Sequence, residues 1–335
     1  MAQQKTPVEI VPGIYQIKLP LVDNPAGHIN TYLIKGNDEW VMIDTGWNDP
    51  QALEELIHKL SELALGLEDI SRIIYTHIHP DHFGLAGTLK QKYGTELIVH
   101  NEGEKLIDYR YYGREAYIKE LGDWHLINGG TSQNADAVIE MSTSYTDRVA
   151  PVFPDILLHG GESIVIDPFR FEVIWTPGHD NDHICLYEKE KGILFSGDHI
   201  LPDTITHIGM HTEITFNPHF SYMQSLQAMR HIQVSTILPG HERTFCDLPQ
   251  RIDELLSYHT KLKEDVFETI RHEPKTAYQI SSEIKWVEGP MKWEVLAAVT
   301  QAGLVTKTLA YLEALRAEKK VEKVDKNGLT IYNAT

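Results

Sequence analysis

The sequence predicts an α/β protein built in layers, with a smaller unit at its C-terminal end. Three observations carry that reading. Apolar runs of strand length separated by turn residues open the chain, a strand, a helix and a second strand then succeed one another, and the last part reads as helices followed by a hairpin.

Taken in order, residues 8–46 form a strand meander. Its strands are Ile14-Tyr15-Gln16-Ile17, Asn30-Thr31-Tyr32-Leu33-Ile34 and Trp40-Val41-Met42-Ile43-Asp44, with Gly36-Asn37-Asp38 as a turn. Residues 50–63 carry Leu53, Leu56, Ile57 and Leu60 at helical spacing behind Pro50, whose missing N–H costs nothing at a helix start. Ile73-Ile74-Tyr75 is the next strand, residues 84–93 a helix, and Leu97-Ile98-Val99-His100 a strand. Residues 101–160 then break the pattern with many aromatics and two Gly pairs. Such an insertion is a candidate substrate wall, with Tyr111 and Tyr112 as candidate contacts. Strand patterns resume at residues 163–166 and 169–175, and residues 222–230 read as a helix capped by Ser221.

The formal charge of −18 is unevenly placed. Residues 250–335 hold equal numbers of acidic and basic side chains, so the whole excess falls on residues 1–249. That field attracts cations and disfavours polyphosphate backbones. No apolar run approaches the roughly 20 residues of a membrane span. Residues 1–6 lack the apolar core of a signal peptide, so the expected location is the cytoplasm and the two cysteines, Cys185 and Cys246, are expected as buried thiols.

The chemistry is concentrated in Thr76-His77-Ile78-His79-Pro80-Asp81-His82. Three imidazoles and a carboxylate within six residues are the nitrogen and oxygen ligands of zinc and similar ions. Pro80 forbids a continuing helix, which places the ligands on a loop at a strand end. Three further stretches repeat one design of apolar strand, tight Gly turn and ligand-type residue: Pro177-Gly178-His179, Ser196-Gly197-Asp198 and Pro239-Gly240-His241. Their strand tips are expected to converge. Asp44, at the end of its own strand, either caps a turn or orients a metal-bound histidine.

The set Asp44, His77-x-His79-x-Asp81-His82, His179, Asp198 and His241 resembles the metallo-β-lactamase fold superfamily over roughly residues 8–245. The resemblance implies an αββα sandwich of two mixed β-sheets with a dinuclear site at one edge. It also implies two divalent metal ions, zinc first, with iron or manganese as alternatives. His77, His79 and His179 would hold one ion and Asp81, His82 and His241 the other, with Asp198 bridging them. The β-lactamases of the superfamily carry Cys at the bridging position, and its di-iron branch carries Glu in place of His79 beside a flavin domain. Neither feature is present, which leaves the hydrolase branch: glyoxalase II-like and acyl-CoA thioesterases, lactonases and some nucleases.

Residues 1–249 are therefore read as the hydrolase domain, with the insertion at about 101–160. Residues 250–335 form the second unit, with helices over 251–272, 276–284 and 297–318, the last broken near Gly303. A hairpin turning at Asp325-Lys326-Asn327-Gly328 ends it. Helices before a terminal hairpin resemble the winged-helix extension of one hydrolase subgroup. Its neutral charge favours packing, dimerising (a homodimer) or substrate-covering over nucleic-acid readout.

The expected reaction has a hydroxide bridging two cations attack the acyl carbonyl of a thioester or lactone, while Asp81 orients it and relays its proton. The partner is a small-molecule acyl substrate, and His28 in Pro25-Ala26-Gly27-His28 is a further candidate contact. His199, His207, His211 and His219 read singly as surface or packed histidines. A metal-dependent phosphodiesterase or nuclease is the alternative, followed by a metal-sensing DNA-binding regulator.

Overall fold

Seven strands run in chain order across the first sheet: β1 (Val8–Val11), β2 (Ile14–Pro20), β3 (His28–Lys35), β4 (Trp40–Ile43), β5 (Ile70–Ile74), β6 (Glu96–His100) and β7 (Ile156–Leu158). The first four pair antiparallel, and β4 to β7 are parallel because helices carry the chain back between them. The returning helices are α1 (Pro50–Ser61), α2 (Pro80–Phe83), α3 (Ala86–Tyr93) and α4 (Asn101–Ile107). A second sheet has the order β12-β11-β10-β9-β8, built from β8 (Ser163–Ile166), β9 (Phe169–Trp175), β10 (Ile184–Glu188), β11 (Ile193–Gly197) and β12 (Thr236–Pro239). This computed structural model describes residues 6–213, 216–286 and 292–335. The N-terminal stretch read for a signal peptide lies outside them up to Lys5.

Period-two alternation sorts the strand residues into two cores. Tyr32, Ile34, Val41, Ile43, Ile74 and Ile98 face the second sheet and pack on Phe171, Val173, Phe195 and Leu238. Their neighbours Leu33, Met42, Ile73, Leu97 and Val99 face the other way, onto Leu56 and Leu60 of α1 and Leu89 of α3. Burial on both faces explains why these strands read as nearly unbroken apolar runs. Each such side chain contributes about 1.5–3 kcal/mol when fully buried.

Strand direction then positions the site. β4 and β5 are parallel, β11 and β12 are parallel, and β9 runs with β11 because both are antiparallel to β10. The C-terminal ends of these five strands carry Asp44, the His77–His82 run, His179, Asp198 and His241. The sheets are tied at this edge by Asn30, whose N–H donates to the Gly240 carbonyl at 2.7 Å and whose side-chain amide donates to the carbonyls of Pro239 and Glu242, each at 3.0 Å.

The chain forms two compact units. The first comprises the chain up to Tyr112, Tyr145–Thr206 and Met229–Arg251; the second comprises Gly113–Ser144, His207–Ala228 and Ile252–Thr335. The sequence division at 249/250 places only the last of these segments apart. Most of the insertion's two helices, α5 (Arg114–Ile127) and α6 (Ser132–Thr146), belong with the C-terminal segment, a long-range grouping that local patterns do not encode.

Within the second unit, α8 (Leu248–Ile270) from Ile252 onward, α9 (Ala277–Glu283) and α10 (Ala298–Ala317) share a core with the terminal hairpin, through Leu262, Val266, Ile280, Leu309, Leu312 and Tyr332. Thr276 and Gln279 form a reciprocal cap on α9. Strands β13 (Val321–Lys326) and β14 (Leu329–Ala334) turn at Asn327 and Gly328, both at positive φ.

Several local expectations need correction. Gly303 does not break α10: the roughly 1 kcal/mol such a glycine costs is outweighed by the buried residues that follow it. Helix α7 (Pro218–Met229) starts before Ser221, because the Asn217 side chain accepts from the Phe220 N–H at 2.9 Å and caps it. Cys185 is buried, but Cys246 is exposed, and both are free. No described helix is long and apolar enough to cross a membrane.

Candidate metal centre

His77 and His79 lie on the segment between β5 and α2, whereas Asp81 and His82 lie in the first turn of α2. The sequence reading put all four on a loop. Pro80 instead occupies the first helical position, where its fixed φ suits the start of a helix. Gly240 is required beside them: a Cβ there would stand 2.5 Å from Oδ1 of Asp198 and 2.8 Å from Cε1 of His82.

Protein acceptors decide which nitrogen of each imidazole faces inward. Asp44 accepts from Nδ1 of His82 at 2.8 Å and is itself held by the main-chain N–H and hydroxyl of Thr76, each at 2.8 Å. The His28 carbonyl accepts from Nδ1 of His241 at 2.9 Å, and Oγ1 of Thr76 accepts from Nδ1 of His77 at 3.1 Å. His79 is turned the other way: Oδ2 of Asp180 lies 3.1 Å from its Nε2, and its Nδ1 lies 3.0 Å from Nε2 of His179. Each acceptor fixes a proton on the outer nitrogen, so that the inner one is the nitrogen that would face an ion.

Three overlapping groups of ligand-type atoms result. They are His77, His79 and His179; His77, His82 and Asp198; and Asp81, His82 and His241, the atoms of each lying within 4.8 Å of one another. Asp198 stands among them, its Oδ2 3.4 Å from Nε2 of His241 and 3.9 Å from Nε2 of His179, and its Oδ1 3.5 Å from Nε2 of His82.

Nε2 of His77, Nε2 of His82 and Oδ1 of Asp198 are buried without a hydrogen-bond partner in the protein. Bare buried polar atoms cost about 1–3 kcal/mol each, and this set of imidazole nitrogens and carboxylate oxygens fits divalent cations. Electrostatics agree. Burial opposes the His82 imidazolium, yet Asp44, Asp198 and Asp81 outweigh it and hold its pKa up at about 10. Burial also opposes the His241 imidazolium, and Asp198 and Asp81 raise it well above its ordinary value. Against their own burial, Asp81 is drawn down to about 2 by His82 and His241, and Asp198 well below its ordinary value by His241 and His82. Protons therefore sit where the carboxylates call for cations. His77 is pushed far down by burial and then by the neighbouring histidines, so it is a neutral donor.

Other candidates fall elsewhere. The His28 ring has its Nε2 buried without a partner, and it is the His28 carbonyl that supports the site. Tyr111 is buried, with its hydroxyl on the Ile78 carbonyl at 2.5 Å, while Tyr112 is exposed and stacks on Phe153. His199 is buried, with its ring 5.8 Å from that of His183; His207 and His219 belong to the second unit.

Four supporting residues went unread in the sequence: Thr76, Asp180, Asp182 and His183. Nε2 of His183 accepts from the Asp198 N–H at 3.1 Å and so sets the backbone that presents that carboxylate. Asp182 accepts the Ile78 N–H at 3.0 Å. The signal was the density of polar residues in His179-Asp180-Asn181-Asp182-His183, a second crowded run like the first.

The family model described as the metallo-beta-lactamase superfamily matches residues 24–241. The chain belongs to that superfamily. It is 23% identical over 321 residues to a Bacillus subtilis (strain 168) protein described as probable metallo-hydrolase YqjP, covering 92% of this chain and 94% of that one. A metallo-beta-lactamase family protein from Thermus thermophilus superposes with a TM-score of 0.82 at 27% identity, covering 97% of this chain and all of that one. Acyl-coenzyme A thioesterase MBLAC2 of Homo sapiens is 25% identical over 246 residues, 70% of this chain and 79% of that one. With relatives described as a metallo-hydrolase and a thioesterase, the chain is a metal-dependent hydrolase of this superfamily.

Proposed function

We propose that the chain is a dinuclear metal-dependent acyl hydrolase. Its substrate class is a thioester of the acyl-CoA or acylglutathione type, with a lactone as the second choice. The observation that carries this reading is the place of Asp198, within 4 Å of imidazole nitrogens from both the His77, His79, His179 group and the Asp81, His82, His241 group. One ion is assigned to each group, Asp198 to both, and Asp44 to the orientation of His82. Zinc suits the nitrogen-rich donor set, with iron and manganese as alternatives. Bound there, such ions supply polarisation of a carbonyl oxygen and a pKa of water lowered toward about 7.

The chain's own residues do the rest. Asp44, Asp180, Thr76 and the His28 carbonyl fix the imidazole tautomers, so the donors need no reorganisation. Asp81, held as a carboxylate, is a weak base; its part is to orient the attacking water at a carboxylate oxygen and hand its proton on. A thiolate or alkoxide then leaves.

Thioesters are favoured over phosphodiesters for two reasons besides the similarity to a thioesterase. The negative formal charge lies entirely on residues 1–249, a field that opposes a nucleic-acid strand and opposes the phosphates of an acyl-CoA more than an acylglutathione. Among the cations of the insertion, Arg110 is engaged on Asp180, and Lys105 and Lys119 pair with Glu102 and Asp123. The second unit's C-terminal helices and hairpin, winged-helix-like in the sequence reading, are assigned a packing or dimerising role. A panel of acyl-CoA, acylglutathione, homoserine lactone and bis-nitrophenyl phosphate, each with zinc, manganese and iron, tests the reading. The expected result is turnover of an acyl compound at least about tenfold above the phosphodiester at roughly 0.15 M salt, where the Debye length is about 8 Å. Faster cleavage of the phosphodiester overturns it.

A further inference from the structure

Between α4 and the second unit the chain makes one π-helical turn, Asp108–Tyr112. Isolated π turns are uncommon and concentrate at functional sites. Two consecutive side chains of this turn, Arg110 and Tyr111, are buried; Tyr111 reaches the segment that bears His77 and His79 directly, and Arg110 reaches it through Asp180.

Arg110 grips Asp180 with two nitrogens, Nη1 to Oδ2 at 2.5 Å and Nη2 to Oδ1 at 3.1 Å. Oδ1 also accepts the Asn181 N–H at 2.8 Å. The planar guanidinium fork therefore fixes the plane of the carboxylate, and what Oδ2 has left is directed at Nε2 of His79, 3.1 Å away. A carboxylate only accepts, so Nε2 carries the proton and Nδ1 presents its lone pair toward His179. Tyr111 acts one residue earlier. Its hydroxyl donates to the Ile78 carbonyl at 2.5 Å, while Oδ2 of Asp182 accepts the Ile78 N–H at 3.0 Å. Both polar groups of the residue between His77 and His79 are thus held. A stability role alone explains this poorly, because a buried ion pair contributes little net stability over apolar residues of the same volume.

We propose that the π turn is a clasp for the histidine segment: Arg110 works through Asp180 to set the ring orientation and tautomer of His79, and Tyr111 works with Asp182 to fix the Ile78 peptide. These are positioning residues. The proposal rests on the metal-site reading above and extends it to a segment that reading does not use.

The test is zinc titration of metal-free, full-length protein, following the two binding steps by competition with a chromophoric chelator. Arg110→Met combined with Asp180→Ala removes both members of the ion pair together. The expected result is one step weakened about 10–100-fold and the other unchanged, the range seen when outer partners of metal ligands are removed. Arg110→Met combined with Asp180→Asn restores an acceptor for Nε2 of His79 and recovers most of that loss. Tyr111→Phe, which keeps the ring packed on Phe83, weakens the same step severalfold. Wild-type affinity in both steps for the Ala double variant, or no difference between its Ala and Asn forms, overturns the clasp. If wild-type protein takes up no zinc, manganese or iron, the metal-site reading itself fails and the clasp falls with it.

Discussion

The main-chain carbonyl of His28 accepts a hydrogen bond from Nδ1 of His241 at 2.9 Å, joining the start of β3 to the end of β12. The His28 ring is a separate matter: burial, with Lys18 and His241 adding to it, pushes its pKa down to about 4. Because the backbone makes the contact, His28→Ala should leave the metal content at the wild-type level, whereas His241→Ala should lower it by about one ion per chain. Elemental analysis of both purified variants checks this, and metal loss in His28→Ala would show that the ring itself is needed.

Gly240→Ala should be far more damaging than its size suggests. The added methyl group would collide with Oδ1 of Asp198 and with the His82 ring. A displacement of about 1 Å at reacting groups can cost about a hundredfold in rate. Turnover should fall by at least about that factor while the far-ultraviolet circular dichroism spectrum is unchanged. Near-normal turnover would mean that Asp198 and His82 are not packed as described.

Phe195 anchors the core between the sheets, with its ring edge-on to Tyr32 at 5.2 Å and to Phe171 at 5.6 Å between centroids. Phe195→Ala should cost about 3–5 kcal/mol in urea unfolding, the usual loss for an aromatic-sized cavity that cannot collapse. A loss below about 1 kcal/mol would argue against this packing.

The metal-free protein should become less stable as pH rises above neutrality. His82 has its pKa raised from 6.5 to about 10 in the fold, so its contribution is complete below 6.5 and is lost as pH climbs through about 10. Asp81 is lowered from 3.8 to about 2, so its contribution is present above 3.8 and is lost as pH falls through about 2. These belong to one cluster and do not add. Metal uptake has the opposite sign over the upper range, since a cation must displace the proton of His82 and affinity should rise with pH. Urea unfolding and zinc titration at pH 6.5 and 9.5 read both slopes; a metal-free protein more stable at pH 9.5 would contradict the assignment.

Much of the sandwich and of the candidate cluster of ligand-type residues was legible because both are written in local patterns. The strands follow from apolar runs punctuated by Gly and Asp, and His77 to His82 from a density of ligands that has little other use. What escaped depends on distance. Asp180 and Asp182 gain meaning only when Arg110 and Ile78 meet them in space, and Asn30 only against Pro239 and Glu242. Gly303 was read by its propensity, which the packing of Val305, Leu309 and Leu312 overrides. Tyr111 was read as a substrate contact because an aromatic beside a metal loop suggests a wall; its hydroxyl is on the Ile78 carbonyl.

The most direct measurement adds metal back to the stripped enzyme while acyl-thioester hydrolysis is followed. Zinc, manganese or iron should restore turnover to a plateau near two equivalents per chain, and Asp198→Ala should abolish the restoration because that carboxylate lies between both groups of ligands. Full turnover without added metal, or a plateau unaffected by Asp198→Ala, would contradict a dinuclear acyl hydrolase at this site.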